Sequence, residues 1–164
     1  MIERNGIIAA GNMLVDHVHQ IEQWPQRGWL AEIVHSERST GGAPLNVLLT
    51  LAKMYTGLPL QAVGLIGDDH DGDYIMAMLD QYQVNRQHVR RTTLAPTSMS
   101  QVMTDPSGQR TFSTLQAPTA CSTCPLSMAL IHHLKFSILA ICCCSIVWMW
   151  KTPSTVLVAP DYWR

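Results

Sequence analysis

An excess of charge of either sign is the first thing this sequence lacks. Eleven Lys and Arg stand against 12 Asp and Glu, a formal net charge of −1. A surface so balanced has no field with which to gather nucleic acid or an anionic membrane, and neither is expected as a partner. A leader pattern is also missing. Met1-Ile2-Glu3-Arg4-Asn5 is not a basic segment running into a long apolar stretch. No secretory signal is therefore expected, and the cytoplasm is the expected compartment. The apolar run from Ile138 to Trp150 has 13 residues, too short for an ordinary membrane span. Extending it backwards brings in His132, His133 and Lys135, so a membrane helix is not expected. Acidic residues are almost absent from the later chain: after Phe112 there is only Asp161. Only four of the 23 charged residues lie in the last 52 positions, and all five cysteines lie between Cys121 and Cys144. A length of 164 residues allows one ordinary domain with a real core. Yet the chain reads as two unlike texts joined near Phe112.

What is present is concentrated in the first text. Ile7-Ile8-Ala9-Ala10 is a short continuous apolar run, the pattern of a buried parallel strand. Asp16 follows closely, and in open α/β sheets ligands bind beyond the carboxyl ends of strands. Asp16 is therefore a candidate acceptor for ligand hydroxyls, set against the plainer reading of a loop carboxylate in solvent. Trp24-Pro25-Gln26-Arg27-Gly28 reads as a turn and Leu30 to Ser36 as a strand.

Ser39-Thr40-Gly41-Gly42-Ala43-Pro44-Leu45-Asn46 is the most informative stretch. Its adjacent glycines free the backbone for a close approach, and Pro44 suits the first turn of a helix. Leu45, Leu48, Leu49 and Ala52 then fall on one helical face. Gly57 is placed to end that helix with a left-handed cap. Asn46 lies in the first turn, beside free N–H groups that suit a polar ligand. A plain turn before a helix is the alternative.

Leu60 to Ile66 reads as a second buried strand and Asp71 to Tyr82 as a second helix, with Ile75, Met78, Leu79 and Tyr82 on one face. Asp69, Asp71, Asp73 and Asp80 match positions of a calcium-loop template. However, Tyr74 stands where that loop needs glycine, and residue 80 lacks the longer Glu. Capping of the helix N-terminus is the better account of these carboxylates. Val84 to Arg91 and Met99 to Thr104 alternate like lid or edge strands. Asp105-Pro106-Ser107-Gly108 reads as a hairpin turn, with Arg110-Thr111-Phe112 starting the return strand.

The order and spacing of Gly11 to Asp16, Gly41-Gly42 with Asn46, Val63-Gly64-Leu65-Ile66-Gly67-Asp68-Asp69, Asp71-Gly72-Asp73, Thr97-Ser98 and Gly108 to Phe112 resemble the N-terminal half of the ribokinase-like (PfkB) carbohydrate kinases. The resemblance covers residues 5–112. It implies an α/β fold: the N-terminal part of a Rossmann-like sheet with a small β lid, roughly 13–38 and 86–112. It also implies transfer of the ATP γ-phosphoryl group to a sugar hydroxyl, with Mg²⁺ bridging the phosphates. Asp16, Gly41, Gly42 and Asn46 match positions that hold the sugar in that family. The lid often forms a dimer contact there, so a homodimer through the lid is implied for the intact family.

The family's catalytic base and anion hole lie in a later Gly-Ala-Gly-Asp element, and no such element occurs in this sequence. No catalytic, nucleotide-binding or metal residue is therefore assigned within this chain. It is expected to be inactive alone, with neither ATP nor Mg bound. A nucleoside kinase of the same superfamily is the alternative enzyme. A non-catalytic sugar-binding, membrane or metal-binding module is the alternative outside catalysis.

Residues 113–164 depart from the family pattern. Cys121 and Cys124 with His132 and His133 suggest zinc, but the usual spacing between such pairs is absent. An out-of-frame translation accounts better for the composition. If each codon is rebuilt from the last base of one present codon and the first two of the next, Cys142-Cys143-Cys144 must give two leucines. Trp148-Met149 must give Asp, Met149-Trp150 Val, and Trp150-Lys151 Glu. These forced residues restore the missing acids and remove the clustered cysteines. Adding one base near codon 112 is therefore expected to open a frame encoding a Gly-Ala-Gly-Asp element. Sequencing the downstream DNA checks this, and a frame without that element removes the reading.

Overall fold

Ile7–Ala10, the first apolar run, forms strand β1 in a computed structural model of the chain, which describes residues 6–117, 137–142 and 145–149. β1 lies at the centre of a five-stranded sheet. Its neighbours are β4 (Leu60–Gly67) and β8 (Ser137–Cys142), both parallel to it. β5 (Asn85–Thr92) closes one edge against β4, and β9 (Ser145–Met149) closes the other, antiparallel to β8. A strand with neighbours on both sides and packing on both faces has no place for polar side chains, which is why Ile8, Ala9 and Ala10 are all buried.

Helix α1 (Ala43–Lys53) packs its Leu45, Leu48 and Leu49 face onto this sheet, as the spacing requires. Helix α2 (His70–Gln81) adds Ile75 and Leu79 to the same core, together with Ala9, Met13, Val15, Ala62 and Ile66. Asp69 is the N-cap of α2, accepting a hydrogen bond from the Gly72 N–H at 2.8 Å. The helix begins one residue before the position expected.

Gly57 does not cap α1. The helix ends at Lys53, and Tyr55 takes the positive φ of 50°. Met54 and Tyr55 donate their N–H groups to Thr50 and Ala52, which satisfies the terminal carbonyls before Gly57 is reached. Gly57 keeps a positive φ of 68°, but in the loop leading to β4.

A second, four-stranded sheet has the order β3 (Ile33–Gly41), β2 (Leu14–Ile21), β6 (Ser98–Thr104), β7 (Arg110–Leu115). β2 runs antiparallel to β3 and parallel to β6, while β6 and β7 form the hairpin closed at Asp105–Gly108. In that turn Gly108 donates to the Asp105 carbonyl, and the Asp105 side chain accepts from the Ser107 and Gln109 N–H groups.

Three boundaries differ from expectation. Asn85–Thr92 belongs to the five-stranded sheet rather than to the lid, because Val89 pairs with Gly64 and is buried there. The lid sheet thus draws on 14–41 and 98–115. The strand expected from Leu30 to Ser36 instead runs Ile33–Gly41, so the first glycine is its last residue. Phe112 falls inside β7, and beyond that strand Ala117 is buried and donates its N–H to Ser98 Oγ at 3.0 Å. The apolar run near residue 140 contributes strands β8 and β9; among the described residues no helix is long and apolar enough to cross a membrane. Cys121, Cys124, His132 and His133 lie outside the described residues.

Gly42 carries a bend that only glycine takes easily. Its φ of 88° and ψ of 142° form the N-cap of α1, and a Cβ there would collide with the Asn12 carbonyl oxygen. Gly42→Ala is expected to destabilise the chain by more than about 3 kcal/mol, strain and collision combined. Gly57→Ala, whose Cβ would meet nothing, is expected to cost about 1 kcal/mol. Urea unfolding of both variants compares them, and equal losses would refute the close approach at Gly42.

Candidate functional site

β1 ends at Ala10, and the chain crosses through Gly11-Asn12-Met13 into β2. This crossing lies at the carboxyl end of the central strand, and the turn into α1 comes back to the same place. There Gly42 packs on the Asn12 backbone and Gly41 packs on Asp16. A Cβ on Gly41 would lie 2.5 Å from both Asp16 Oδ2 and Leu14 Cδ1. The first glycine therefore makes room for the carboxylate, and the second makes room for the backbone crossing.

Asp16 sits in the middle of a polar row across the lid sheet. It is in register with Ser39 on β3 and Ser100 on β6, and Ser100 is in register with Thr114 on β7. Register partners share a face, so these side chains stand on one side of the sheet. Ser100 is 5% exposed and shares a 3.1 Å hydrogen bond with Thr114. Burial raises the Asp16 carboxyl above its ordinary range; a hydrogen bond from Ser100 and the proximity of His17 offset part of that rise.

The N-terminus of α1 completes the setting. It has no side-chain cap and no acidic residue in its first turn, so its leading N–H groups keep donor capacity. Asn46 is exposed in that first turn, and its own N–H is taken by the Gly42 carbonyl at 3.0 Å. The structure thus brings Gly41 against Asp16 and Gly42 against the Asn12 backbone, and places Asn46 one helical turn beyond Gly42. The hydroxyl row escaped the sequence reading, because cross-strand register is not written in any one segment. Asn12 also escaped it. Its Oδ1 is buried with no hydrogen-bond partner among the described residues, and its only sequence signal was its place beside Gly11 at the strand end.

The carboxylates after β4 have separate partners. Asp68 and Asp73 both pair with Arg91, at 3.2 and 2.6 Å. Asp71 accepts from His17 Nε2 at 2.9 Å and lies 3.9 Å from Arg38 Nη1. Asp69 caps α2. Among the described residues no group of three or more His, Cys, Asp or Glu stands together as a metal site.

The sequence model of the pfkB family carbohydrate kinase matches residues 6–141. The chain is 29% identical over 118 residues to a probable fructokinase-4 of Arabidopsis thaliana, covering 72% of this chain and 34% of that protein. It is 31% identical over 116 residues to fructokinase-2 of Zea mays, covering 71% and 33%. The chain therefore spans about a third of the length of these curated relatives. Among solved structures, Arabidopsis thaliana ribokinase complexed with ribose and ATP superposes with a TM-score of 0.62 at 25% identity, over 70% of this chain and 36% of that one.

The raised Asp16 carboxyl carries a pH signature. A folded pKa above the unfolded value means that ionisation of Asp16 opposes folding. Its contribution is most favourable below the unfolded value and is lost as pH rises through the folded one. Asp16→Asn is therefore expected to stabilise the chain relative to wild type at pH 7 and to lose that advantage toward about pH 4. Denaturant titrations at the two pH values check it, and an advantage independent of pH would refute it.

Proposed function

The chain belongs to the pfkB family of carbohydrate kinases, and we infer that its share of that chemistry is to hold the sugar. The observation that carries this reading is the packing of Gly41 on the Asp16 carboxylate, beside the uncapped start of α1. A sugar offers several hydroxyls, each able to donate and accept. Asp16, when ionised, accepts from two of them, and charge-assisted hydrogen bonds of this kind are the strong ones. The leading N–H groups of α1 and the amide of Asn46 donate to other oxygens. Gly41 and Gly42 make room for the Asp16 carboxylate and the Asn12 crossing at the start of α1. The resemblance to fructokinases and to a ribokinase supports fructose or ribose as the substrate class. ATP is the proposed phosphoryl donor of the complete site, with Mg²⁺ supplying charge neutralisation of its phosphates when bound.

Holding one reactant is not transfer. A kinase also needs a base at the attacking hydroxyl and donors for charge developing on the phosphoryl group. The Gly-Ala-Gly-Asp element that supplies both in the family does not occur in these 164 residues. Loss of each function commonly costs about 10²-fold or more, so this stretch of chain alone is proposed to be inactive. The family match runs on to residue 141, past the break expected near codon 112; for the residues after it, the forced codons near 142–151 support the out-of-frame reading. The exposed Ile33, Val34 and Phe112 of the lid sheet suit a homodimer contact.

The 164-residue chain is expected to bind fructose or ribose weakly and to form no sugar phosphate from ATP. Asp16→Ala should lower sugar affinity by about 10-fold or more, the worth of hydrogen bonds to a charged group. Calorimetric or NMR titration with each sugar measures this. ATP turnover by the chain that Asp16→Ala abolishes would overturn the reading.

A further inference from the structure

Asp69 does more than a helix cap requires. Capping uses only its bond from Gly72 N–H, and the same carboxylate holds Thr97, 28 residues later, at two points. Thr97 N–H donates to Asp69 Oδ2 at 2.7 Å, and the Thr97 hydroxyl donates to Asp69 Oδ1 at 2.6 Å. That hydroxyl in turn accepts from Gly67 N–H at 2.9 Å. One carboxylate and one hydroxyl thus join the end of β4, the first turn of α2 and the residue before β6.

The site is built without slack. A Cβ on Gly67 would collide with Thr97 N and lie 2.6 Å from Asp69 Oδ2. One on Gly72 would collide with the Gly67 carbonyl and lie 3.2 Å from Thr97 Oγ1. Thr97 and Ser98 are each 2% exposed. Burial works against the Asp69 charge, yet the bonds from Thr97, Gly72 and Asp71 outweigh it and hold the carboxyl below its ordinary range.

β6 follows at once, and its Ser100 stands beside Asp16. Three residues of strand span only about 10 Å, so a fixed Thr97 fixes Ser100. We infer that Asp69 and Thr97 are positioning residues, a clasp that locks lid strand β6 to the β4–α2 turn and thereby sets Ser100 against Asp16. The consequence for ligand rests on the sugar-site reading of Asp16. The clasp itself does not.

Two substitutions separate the clasp from the cap. Asp69→Asn keeps one oxygen for Gly72 and the Thr97 hydroxyl but replaces the acceptor of Thr97 N–H by an amino group. Thr97→Val removes the hydroxyl at nearly constant shape, and Thr97→Ser restores it. In the full chain, amide hydrogen exchange across β6 is expected to accelerate about tenfold in Asp69→Asn and Thr97→Val, and to return to the wild-type rate in Thr97→Ser. Exchange in α2 should stay unchanged in all three. The Asp16 carboxyl titration, followed by ¹³C NMR, should shift in Thr97→Val and return in Thr97→Ser. Unchanged exchange in β6, or equal acceleration in α2 and β6 for Asp69→Asn, would overturn the inference, as would an Asp16 titration indifferent to Thr97→Val. Fructose affinity should fall about tenfold in Thr97→Val and recover in Thr97→Ser. Wild-type chain that fails to bind fructose counts against the sugar-site reading, and exchange and titration still decide the clasp.

Discussion

The candidate site depends on two missing side chains. Where the lid strand β3 turns into α1, the backbone passes against Asp16 on one side and the Asn12 carbonyl on the other. No residue with a Cβ fits either place without moving what it meets. Because the chain can pass there, the start of a helix and the end of a lid strand meet at the carboxyl end of β1. Anion-like or hydroxyl-rich ligands suit such a place, since a helix start offers N–H groups with nothing to bind. The cost appears at Asp16, whose charge is held in a partly buried position that raises its carboxyl. A carboxylate kept where burial opposes its ionisation is better suited to a ligand than to stability.

Two tethers join the lid sheet to the start of α2. One is the buried Asp69–Thr97 net already described. The other lies nearer the surface: Asp71 receives His17 from β2, and Arg38 of β3 stacks over the Tyr74 ring at 5.0 Å. Tyr74 Oη also donates to the Arg38 carbonyl at 3.0 Å. Both tethers attach to the first turns of α2, so that helix start serves as the anchor of the lid. The Arg91 pairs with Asp68 and Asp73 are more exposed and contribute less, because water screens them. The acidic run from 68 to 73 is thus divided by depth: the half-buried Asp69 and Asp71 tie the lid strands to α2, and the exposed Asp68 and Asp73 pair with Arg91 at the surface.

Much of this architecture was legible in local patterns. Ile7 to Ala10 and Leu60 to Ile66 read as buried parallel strands because continuous apolar runs have that meaning in an α/β fold. The leucines of α1 and the Ile75–Leu79 pair of α2 announced their buried faces by helical spacing. Less legible were positions where two elements compete for one residue. Gly57 carried the usual signature of a helix cap, yet Tyr55 took the left-handed conformation two residues earlier. Val84 to Arg91 alternated like a lid or edge strand, and pairing with β4 through Val89 made it the edge of the five-stranded sheet.

By itself the sequence determined the apolar strands β1 and β4, the buried faces of α1 and α2, the glycine pair and the family to which the order of motifs belongs. These are properties of short segments, set by periodicity, backbone freedom and the chemistry of single side chains. Only the tertiary structure decided that Ser39, Asp16, Ser100 and Thr114 form one row, and that Asp69 reaches Thr97. Those contacts join residues separated by 14 to 84 positions, Ser100 with Thr114 and Asp16 with Ser100 marking the extremes. Register between strands is chosen by the packing of the whole sheet, and no local segment carries the information that selects it.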